Sequence, residues 1–532
     1  MKKTMICAIL CVLLISVFGV GGDSSVSFRV TTSWGRFSNP IWFIGTTSQF
    51  TTFPLVWPPL VWTDSRGNIV PWYADSYEVS SDATTYTFYL PRDGRWTDGV
   101  PVTADDFKFT FELIFSKRAF EEGCHLYSWL GANKIKGAEA YFNGEAEEII
   151  GIKVIDPYTL KIELVEPDLG FLIRLAAYPA TGVQPKHVLG RLSWDEFLSS
   201  SYLKDPDVTA GPYKFVEFKR EQYIILEARE DDGWPHKKPQ IKTLYALPLS
   251  GFETYETMLE AKQLDIGYIR VSEMERMSKL PYLTIKPQST LGWGLVIGVN
   301  CARVSDKRVR QAVMYALDRE AIVEAMTGGL VETIDSPIFA PEWAVSPNLV
   351  HYEYDPDKAR KLLAEANWDP NRELVWICTS SETSRNLAQI IQAYLADVGV
   401  KMRIEMGTYQ EVVNRWQQGD FDFYPLGGGV PGLDPSIALD YLRSEPSPNL
   451  YNYSNERINE LAREGVRTPD LERRQAIYWE ASEILNDELP FIPVYREVIV
   501  YAVNKRVLNF DWPLSPYQLL TCNVLDWQVV DE

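Results

Sequence analysis

From Ser305 onward the sequence alternates between two hydrophobic patterns, and that alternation most restricts what the chain can fold into. SDKRVRQAVMYALDREAIVEAMTGG (305–329) spaces its apolar residues for one capped amphipathic helix or two, ending at Gly328-Gly329. DPDKARKLLAEANW (355–368) reads as a short helix and ELVWICT as a strand; NLAQIIQAYLADVGVKMRIEM (386–406) gives helix, a stop at Gly399, and strand. A last helix, LERRQAIYWEASEILNDELP, runs to Pro490 and leads into FIPVYREVIVYAV (491–503). Helices that alternate with apolar strands bury both only by stacking in layers, so an α/β fold is expected.

The first half reads differently. Residues 28–90 alternate aromatic and polar positions, as in SFRVTTSW and TYTFYL, which predicts strands. In GRWTDGVPVTADDFKFTFELIFSKRAF (94–120) the chain turns at Asp98-Gly99, and Thr103 caps a helix with Phe107, Phe111, Ile114 and Phe115 on one side. IKVIDPYTLKIEL (152–164) is a hairpin, and GPYKFVEFKREQYIILEARE (211–230) is a further pair of strands. A chain of 532 residues exceeds one ordinary core, so two or three domains are expected.

MKKTMICAILCVLLISVFGVGG (1–22) has a basic start, an apolar run from Met5 to Phe18 and small residues after it. It reads as a cleaved secretory signal; the alternative, an uncleaved anchor, meets a run shorter than the roughly 20 apolar residues a spanning helix needs. The mature protein is expected to be extracytoplasmic and monomeric. Loss of Lys2 and Lys3 makes the formal charge of −20 still more negative, which repels nucleic acid and anionic lipid. Cys124, Cys301, Cys378 and Cys522 remain, at spacings that fit no zinc pattern; buried thiols are favoured over disulfides, whose pairing the spacing does not give.

Signals for catalysis are missing. The histidines (125, 187, 236, 351) are scattered, and neither a G-x-S-x-G elbow nor a phosphate-binding G-x-x-x-x-G-K occurs. A pair of glycosidase carboxylates is compatible with so acidic a chain, but abundance of Asp and Glu does not point to one. The expectation is therefore a protein without enzymatic activity, cofactor or metal. The 17 tryptophans carry more information. Trp57 and Trp62 flank a Pro-Pro step, Trp42 follows Pro40, Trp293 lies between glycines in LGWG, and Trp416 sits among polar residues in NRWQQGD. An indole on a loop offers a flat apolar face and one donor, which suits the CH face of a pyranose; packing into a core is the competing reading.

Several of these segments, in this order, resemble the extracytoplasmic solute-binding proteins of ABC importers in the oligopeptide/dipeptide class, family 5. They are GRWTDGVPVTADDFKFTFELI, GPYKFVEFKREQYIILEARED, KRVRQAVMYALDREAIVEAM, DPDKARKLLAEANW, then QAYLADVGVKMRIEM, QQGDFDF and PFIPVY. One departure is DDGWPHKKP, which stands where an aromatic-Gly-Gly step is usual. The resemblance implies a two-lobed α/β periplasmic-binding-protein fold with an extra inserted domain, closing by a hinge on its ligand. It places a first lobe in 23–56, 180–287 and 497–532, the inserted domain in 57–179 and the second lobe in 288–496.

The resemblance also bears on YPLGGGVPGLDP (424–435). In peptide-binding relatives this loop carries an acid that meets the peptide ammonium; counted from GDFD and Asp434-Pro435, its place holds Pro431, and the places of nearby arginines hold Trp416 and Pro425. Charged grips replaced by an indole and prolines predict a neutral ligand, because a buried ammonium without a counter-charge is strongly unfavourable. The expected ligand is a β-linked gluco- or manno-oligosaccharide, as in a sugar-binding branch of the family known from thermophilic bacteria, handed to an ABC permease. Its site is expected to use Trp42, Thr46, Trp57, Trp62, Trp293, Tyr409, Trp416, Gly428, Gly429, Asp434 and Tyr495, with Cys378 and Ile44 nearby. Asp434 serves equally well as a helix cap. The alternatives are an oligopeptide receptor, then a secreted glycosidase or a nickel receptor.

Overall fold

The computed structural model describes residues 25–31, 47–122, 124, 126–177, 181–203, 205–219, 223–249, 252–426, 434–444, 449–514 and 523–530. The chain enters with strand β1 (Ser25–Thr31) and, after the helix Thr47–Val56, forms a small antiparallel pair, β2 (Val61–Thr63) and β3 (Ile69–Pro71). A separate four-stranded antiparallel sheet follows from β4 (Ser76–Val79), β5 (Thr85–Tyr89), β6 (Ile152–Asp156) and β7 (Thr159–Glu163), in the order β4-β5-β7-β6. Between β5 and β6 the helix Ala104–Ile114 starts where the sequence places it: the Thr103 N–H donates to the Asp106 carboxylate at 2.9 Å.

The rest of the chain builds one large sheet. Its strands are β1 with β8 (Tyr213–Lys219), β9 (Tyr223–Ala228), β10 (Thr243–Leu249), β11 (Ile266–Ile269), β12 (Leu283–Val299), β13 (Glu373–Thr379), β14 (Lys401–Gly407), β15 (Phe423–Leu426) and β16 (Phe491–Asn504). Their order is β14-β13-β15-β12-β16-β11-β1-β10-β9-β8. Two of them, β12 with 17 residues and β16 with 14, are much longer than the others. They pair antiparallel from Leu283↔Asn504 to Ser289↔Val498 and again from Gly294↔Arg496 to Gly298↔Phe491. Between the two stretches the register breaks, so that Thr290–Trp293 on β12 lie opposite Glu497 alone. The Thr290 hydroxyl donates to the Glu497 carbonyl at 3.1 Å across this break.

The break divides the sheet into two halves. On one side β16 pairs with β11, and β1, β10, β9 and β8 follow; on the other, β12 pairs with β15, and β13 and β14 follow. Each half is covered on both faces. Cores built on Tyr255, Leu259 and Met277, and on Phe53, Leu244 and Tyr501, enclose the first. Cores on Val313, Leu374 and Ile391, and on Val296, Leu439 and Tyr478, enclose the second. This explains why ELVWICT reads as a continuous apolar run: Leu374–Cys378 are buried on either side of the sheet. The helices of the second half start on Asp306, Asp318 and Asp470 caps, and Gly328 ends the second of them at φ +59°.

A second link joins the two halves far along the chain from the break. Segment 166–174, after β7, reaches the helices Pro435–Leu442 and Glu456–Arg467: the Leu169 N–H donates to the Val466 carbonyl at 2.8 Å, Glu166 pairs with Arg467, and Arg174 lies 3.5 Å from Asp440. Asp168, with no side-chain exposure, holds this segment together through Lys134, Arg174 and the Gly170 N–H. Burial alone would raise its carboxyl pKa, but Arg174 and Lys134 outweigh burial and hold it below the usual range.

The sequence reading departs from the structure in two places here. FTTFPLVWPPLVWTD is not an exposed turn: Trp57 follows the helix Thr47–Val56 and Trp62 lies in β2, both 2% exposed. LGWG is not a loop either, because Trp293 belongs to β12. The Pro-Pro and Gly-x-Gly signals are local, and burial against the Tyr202 region and the sheet overrides them; the Trp57 indole N–H donates to the Tyr202 hydroxyl at 3.1 Å.

Gly298 tests the packing of β12. A methyl group added there would sit 2.3 Å from the Tyr451 ring. Gly298→Ala is expected to destabilise the fold by about 1–3 kcal/mol, read by chemical denaturation.

Candidate functional site

The strand directions locate the site. In the second half, β13, β14 and β15 run parallel, and β16 enters the sheet break at the end of its second-half stretch, so their carboxyl ends point toward the break. In the first half, β1, β10 and β11 are parallel, and β11 pairs antiparallel with β16 just beyond Glu497, so their carboxyl ends point the same way. Two sheets that direct their carboxyl ends at a shared junction create a crevice there, the usual ligand position in open α/β sheets.

The second-half wall of this crevice is rich in tyrosine. Thr408 and Glu411 form a capping box, the Thr408 N–H donating to Glu411 at 2.7 Å, which fixes the first turn of the helix Tyr409–Gln417 and with it Tyr409. Tyr424 is on β15, and Tyr441 is near the end of the helix Pro435–Leu442. Tyr424 and Tyr441 both lie near Tyr409: burial first, then these two phenols, raise the Tyr409 pKa. Tyr441 keeps 36% of its surface accessible. Burial pushes Tyr424 up to about 12. These phenols stay protonated at physiological pH and act as neutral donors and acceptors.

Trp416 stands behind this row. It packs against Tyr424 with ring centres 5.6 Å apart and against Tyr451 at 6.0 Å. Its indole N–H and the Tyr451 hydroxyl are buried and lie side by side, and neither makes a hydrogen bond of ordinary geometry.

One carboxyl stands at the junction itself. Glu497 is part-buried, on β16 opposite the four-residue break, and makes no ion pair or side-chain hydrogen bond with any described residue. Desolvation by the surrounding protein pushes it up to about 7. Its neighbour Arg496 is turned elsewhere, donating to the Phe339 carbonyl at 3.2 Å and lying over the Phe339 ring. Burial, then Glu497, raise the pKa of Tyr495, two residues back along the strand.

Residues 68–449 match the bacterial extracellular solute-binding proteins, family 5 Middle. The chain belongs to this family. Among curated proteins, the solute-binding protein is 24% identical to the dipeptide-binding protein of Escherichia coli over 491 residues, covering 89% of each chain. It is 26% identical to heme-binding protein A of Haemophilus influenzae over 464 residues, covering 83% of this chain and 82% of that one. Among solved structures, it superposes on the ABC transporter-associated periplasmic binding protein DppA of Helicobacter pylori, in complex with peptide STSA, with a TM-score of 0.79 at 20% identity, covering 95% and 98% of the two chains. The two-lobed fold is thereby shown.

The predicted site residues separate into groups. Tyr409 and Trp416 lie near Tyr424 on the second half, and Tyr495 packs into the core of that half at 8% exposure. Trp57 and Trp62 are in the core of the first half and present no face to a ligand. Trp293 lies in the β12 break, and nothing is described of its side chain. Trp42, Thr46, Ile44, Gly428 and Gly429 lie outside the described residues. Cys378 ends β13 at 1% exposure, an unpaired thiol whose pKa burial raises, as it does for Cys124 (to about 12) and Cys301 (to about 11).

Asp434 is a cap and half of an ion pair. Its carboxylate accepts from the Ser436 N–H at 2.9 Å and from Arg474 Nη2 at 2.9 and 2.8 Å, and Arg474 is itself sandwiched against Trp343 and Tyr478. Its charge is thus already neutralised inside the second half. Glu497 was missed in the sequence, although its signal is present: REV is the charged step in an otherwise apolar strand, FIPVYREVIVYAV.

Two measurements follow. Arg474→Ala leaves the Asp434 carboxylate buried and unpaired, so a loss of about 3–5 kcal/mol is expected on denaturation, partly recovered in Asp434→Asn/Arg474→Met. Glu497 has a raised folded-state pKa, so its ionisation opposes folding above the unfolded value, increasingly up to about 7. Glu497→Gln should therefore stabilise the ligand-free protein at pH 8, with a gain that shrinks as pH falls from 7 toward the ordinary carboxyl range.

Proposed function

We propose that this solute-binding protein is the extracytoplasmic receptor of an ABC importer and that its ligand is a short peptide. The observation that supports this reading most is the length and nature of the likeness: a dipeptide-binding protein aligns over 89% of both chains, and a structure holding the peptide STSA shares the fold over 95% of this one. The crevice fits such a ligand. It has a wall of protonated tyrosine hydroxyls, which hydrogen-bond amides without demanding charge, and an open strand junction for the main chain. Ligand touching both lobes favours the shut state, and the permease reads that state.

The oligosaccharide expected from the loop chemistry is the second reading. Pro431 in the place of the family acid and the Trp416–Tyr424 aromatic pair favour it. The relatives do not: those named here bind dipeptide, heme or the peptide STSA.

A thermal-shift screen of di- to pentapeptides against cello-, manno- and xylo-oligosaccharides separates the two. Stabilisation by peptides is expected, and a shift with sugars alone reverses the assignment. Trp416→Ala, which removes the backing of the tyrosine wall, is expected to weaken the best binder by at least about 1 kcal/mol in titration calorimetry.

A further inference from the structure

A free peptide brings charged termini into a closed crevice. Its terminal ammonium is a full positive charge, and stripping its water is strongly unfavourable unless an anion meets it. The family position for that anion holds Pro431. Four acids of the second half are already engaged: Asp434 with Arg474, Asp440 with Arg174 and Arg443, Asp422 with Arg303 and Arg372, and Glu405 with Arg403 and Arg415. Any of these could take a ligand amine only by giving up an arginine.

Glu497 differs on each count. It lies where the two halves of the sheet meet, so a group bound to it sits at their junction. Its backbone is fixed by Thr290 on the facing strand. It retains accessible surface and has no partner among the described residues. The titratable and charged groups nearest along the chain are Tyr495, a neutral phenol, and Arg496, committed to Phe339; the segment bridged to this stretch adds Glu332, whose carbonyl accepts from the Arg496 N–H at 3.1 Å. Beyond β11, Arg270 is tied to Glu253 and Glu256, and Lys286 on β12 lies over Trp512.

We infer that Glu497 receives the terminal ammonium of the bound peptide, taking over from the hinge strand the role that the 424–435 loop has lost. This inference rests on the peptide reading above. Desolvation raises the pKa of this carboxyl; an incoming ammonium favours its ionised form, so on binding the carboxyl releases its proton. Binding is therefore coupled to pH through one residue: affinity rises from pH 6 toward 7.5, where Glu497 ionises, and falls again above the terminal amine's own range near 8.

The test uses the full mature chain with Ala-Ala, Ala-Ala-Ala and Ala-Ala-Ala-Ala, their N-acetylated forms and cellotriose. Wild type is expected to bind the best free-amine peptide at least tenfold tighter than its acetylated form. Glu497→Gln should lose at least tenfold for the free amine and change the acetylated form by less than about twofold. Calorimetry at pH 7 in phosphate and in Tris should show net release of a fraction of a proton from wild type and none from the variant, a readout a merely structural role would not produce. Equal affinity of wild type and a folded Glu497→Gln for the free-amine peptide overturns the inference and leaves the peptide reading standing. Equal binding of free and acetylated forms by wild type does the same. Binding of cellotriose with no peptide bound overturns the peptide reading and this inference with it.

Discussion

The antiparallel pairing of β12 with β16 holds the molecule together as one body with two parts. Both strands run through the whole large sheet, so neither half closes its ladder without them. Continuous ladders resist bending, and a sheet with two halves needs one place where bending is easy. The break at Thr290–Trp293 opposite Glu497 is that place: several residues on one strand face one on the other, and the local hydrogen bonding falls to a side chain, the Thr290 hydroxyl. The cores on either side are separate sets of residues, which lets each half move as a unit.

The site follows from the same geometry. Antiparallel pairing of β16 with β11 in one half, and the parallel run of β13, β14 and β15 in the other, turn the carboxyl ends of both half-sheets toward the break. Strand ends and helices therefore collect there: the start of one helix carries Tyr409, β15 carries Tyr424, and the last turn of another helix carries Tyr441. Charge is handled differently in the two settings. Asp434 and Asp168 are buried with arginine, a compensation that fixes local structure. Glu497 is part-buried with no such partner among the described residues, and an uncompensated ionisable group in a crevice marks a place of function more often than of stability.

Much of the architecture was legible in the sequence because it rests on periodic patterns. The helices from Lys307 to Thr327, Glu382–Asp397 and Leu471–Glu488, and the strands around ELVWICT and KMRIEM, form where hydrophobic spacing and caps put them. The long reach of β12 was not legible. Its sequence, LTIKPQSTLGWGLVIGV, contains Pro and two Gly that normally interrupt a strand, and only pairing with β16 and β15 keeps it extended. Counting along the family pattern puts Tyr409, Trp416 and Tyr495 forward as ligand residues, and in the structure Tyr409 and Trp416 gather near Tyr424. Trp57 and Trp62 lie in the core instead, because an indole beside prolines looks the same in sequence whether a core covers it or not. Asp434 and Glu497 show the limit most sharply: both are single acids beside apolar residues, and only distances in space tell that one is already paired and the other is not.

The clasp between segment 166–174 and the helices of the second half has a bearing on how such a receptor signals. Glu166 with Arg467, Leu169 with Val466 and Arg174 with Asp440 join the halves through protein groups alone. Where such contacts hold in the shut molecule and part on opening, each raises the share of empty molecules that are already shut. A larger pre-shut share strengthens apparent affinity, since less of the binding energy goes into closure. It also narrows the difference between vacant and loaded receptors that a membrane partner has to discriminate, so the number of these rim contacts sets a balance between capturing scarce solute and keeping idle transport low.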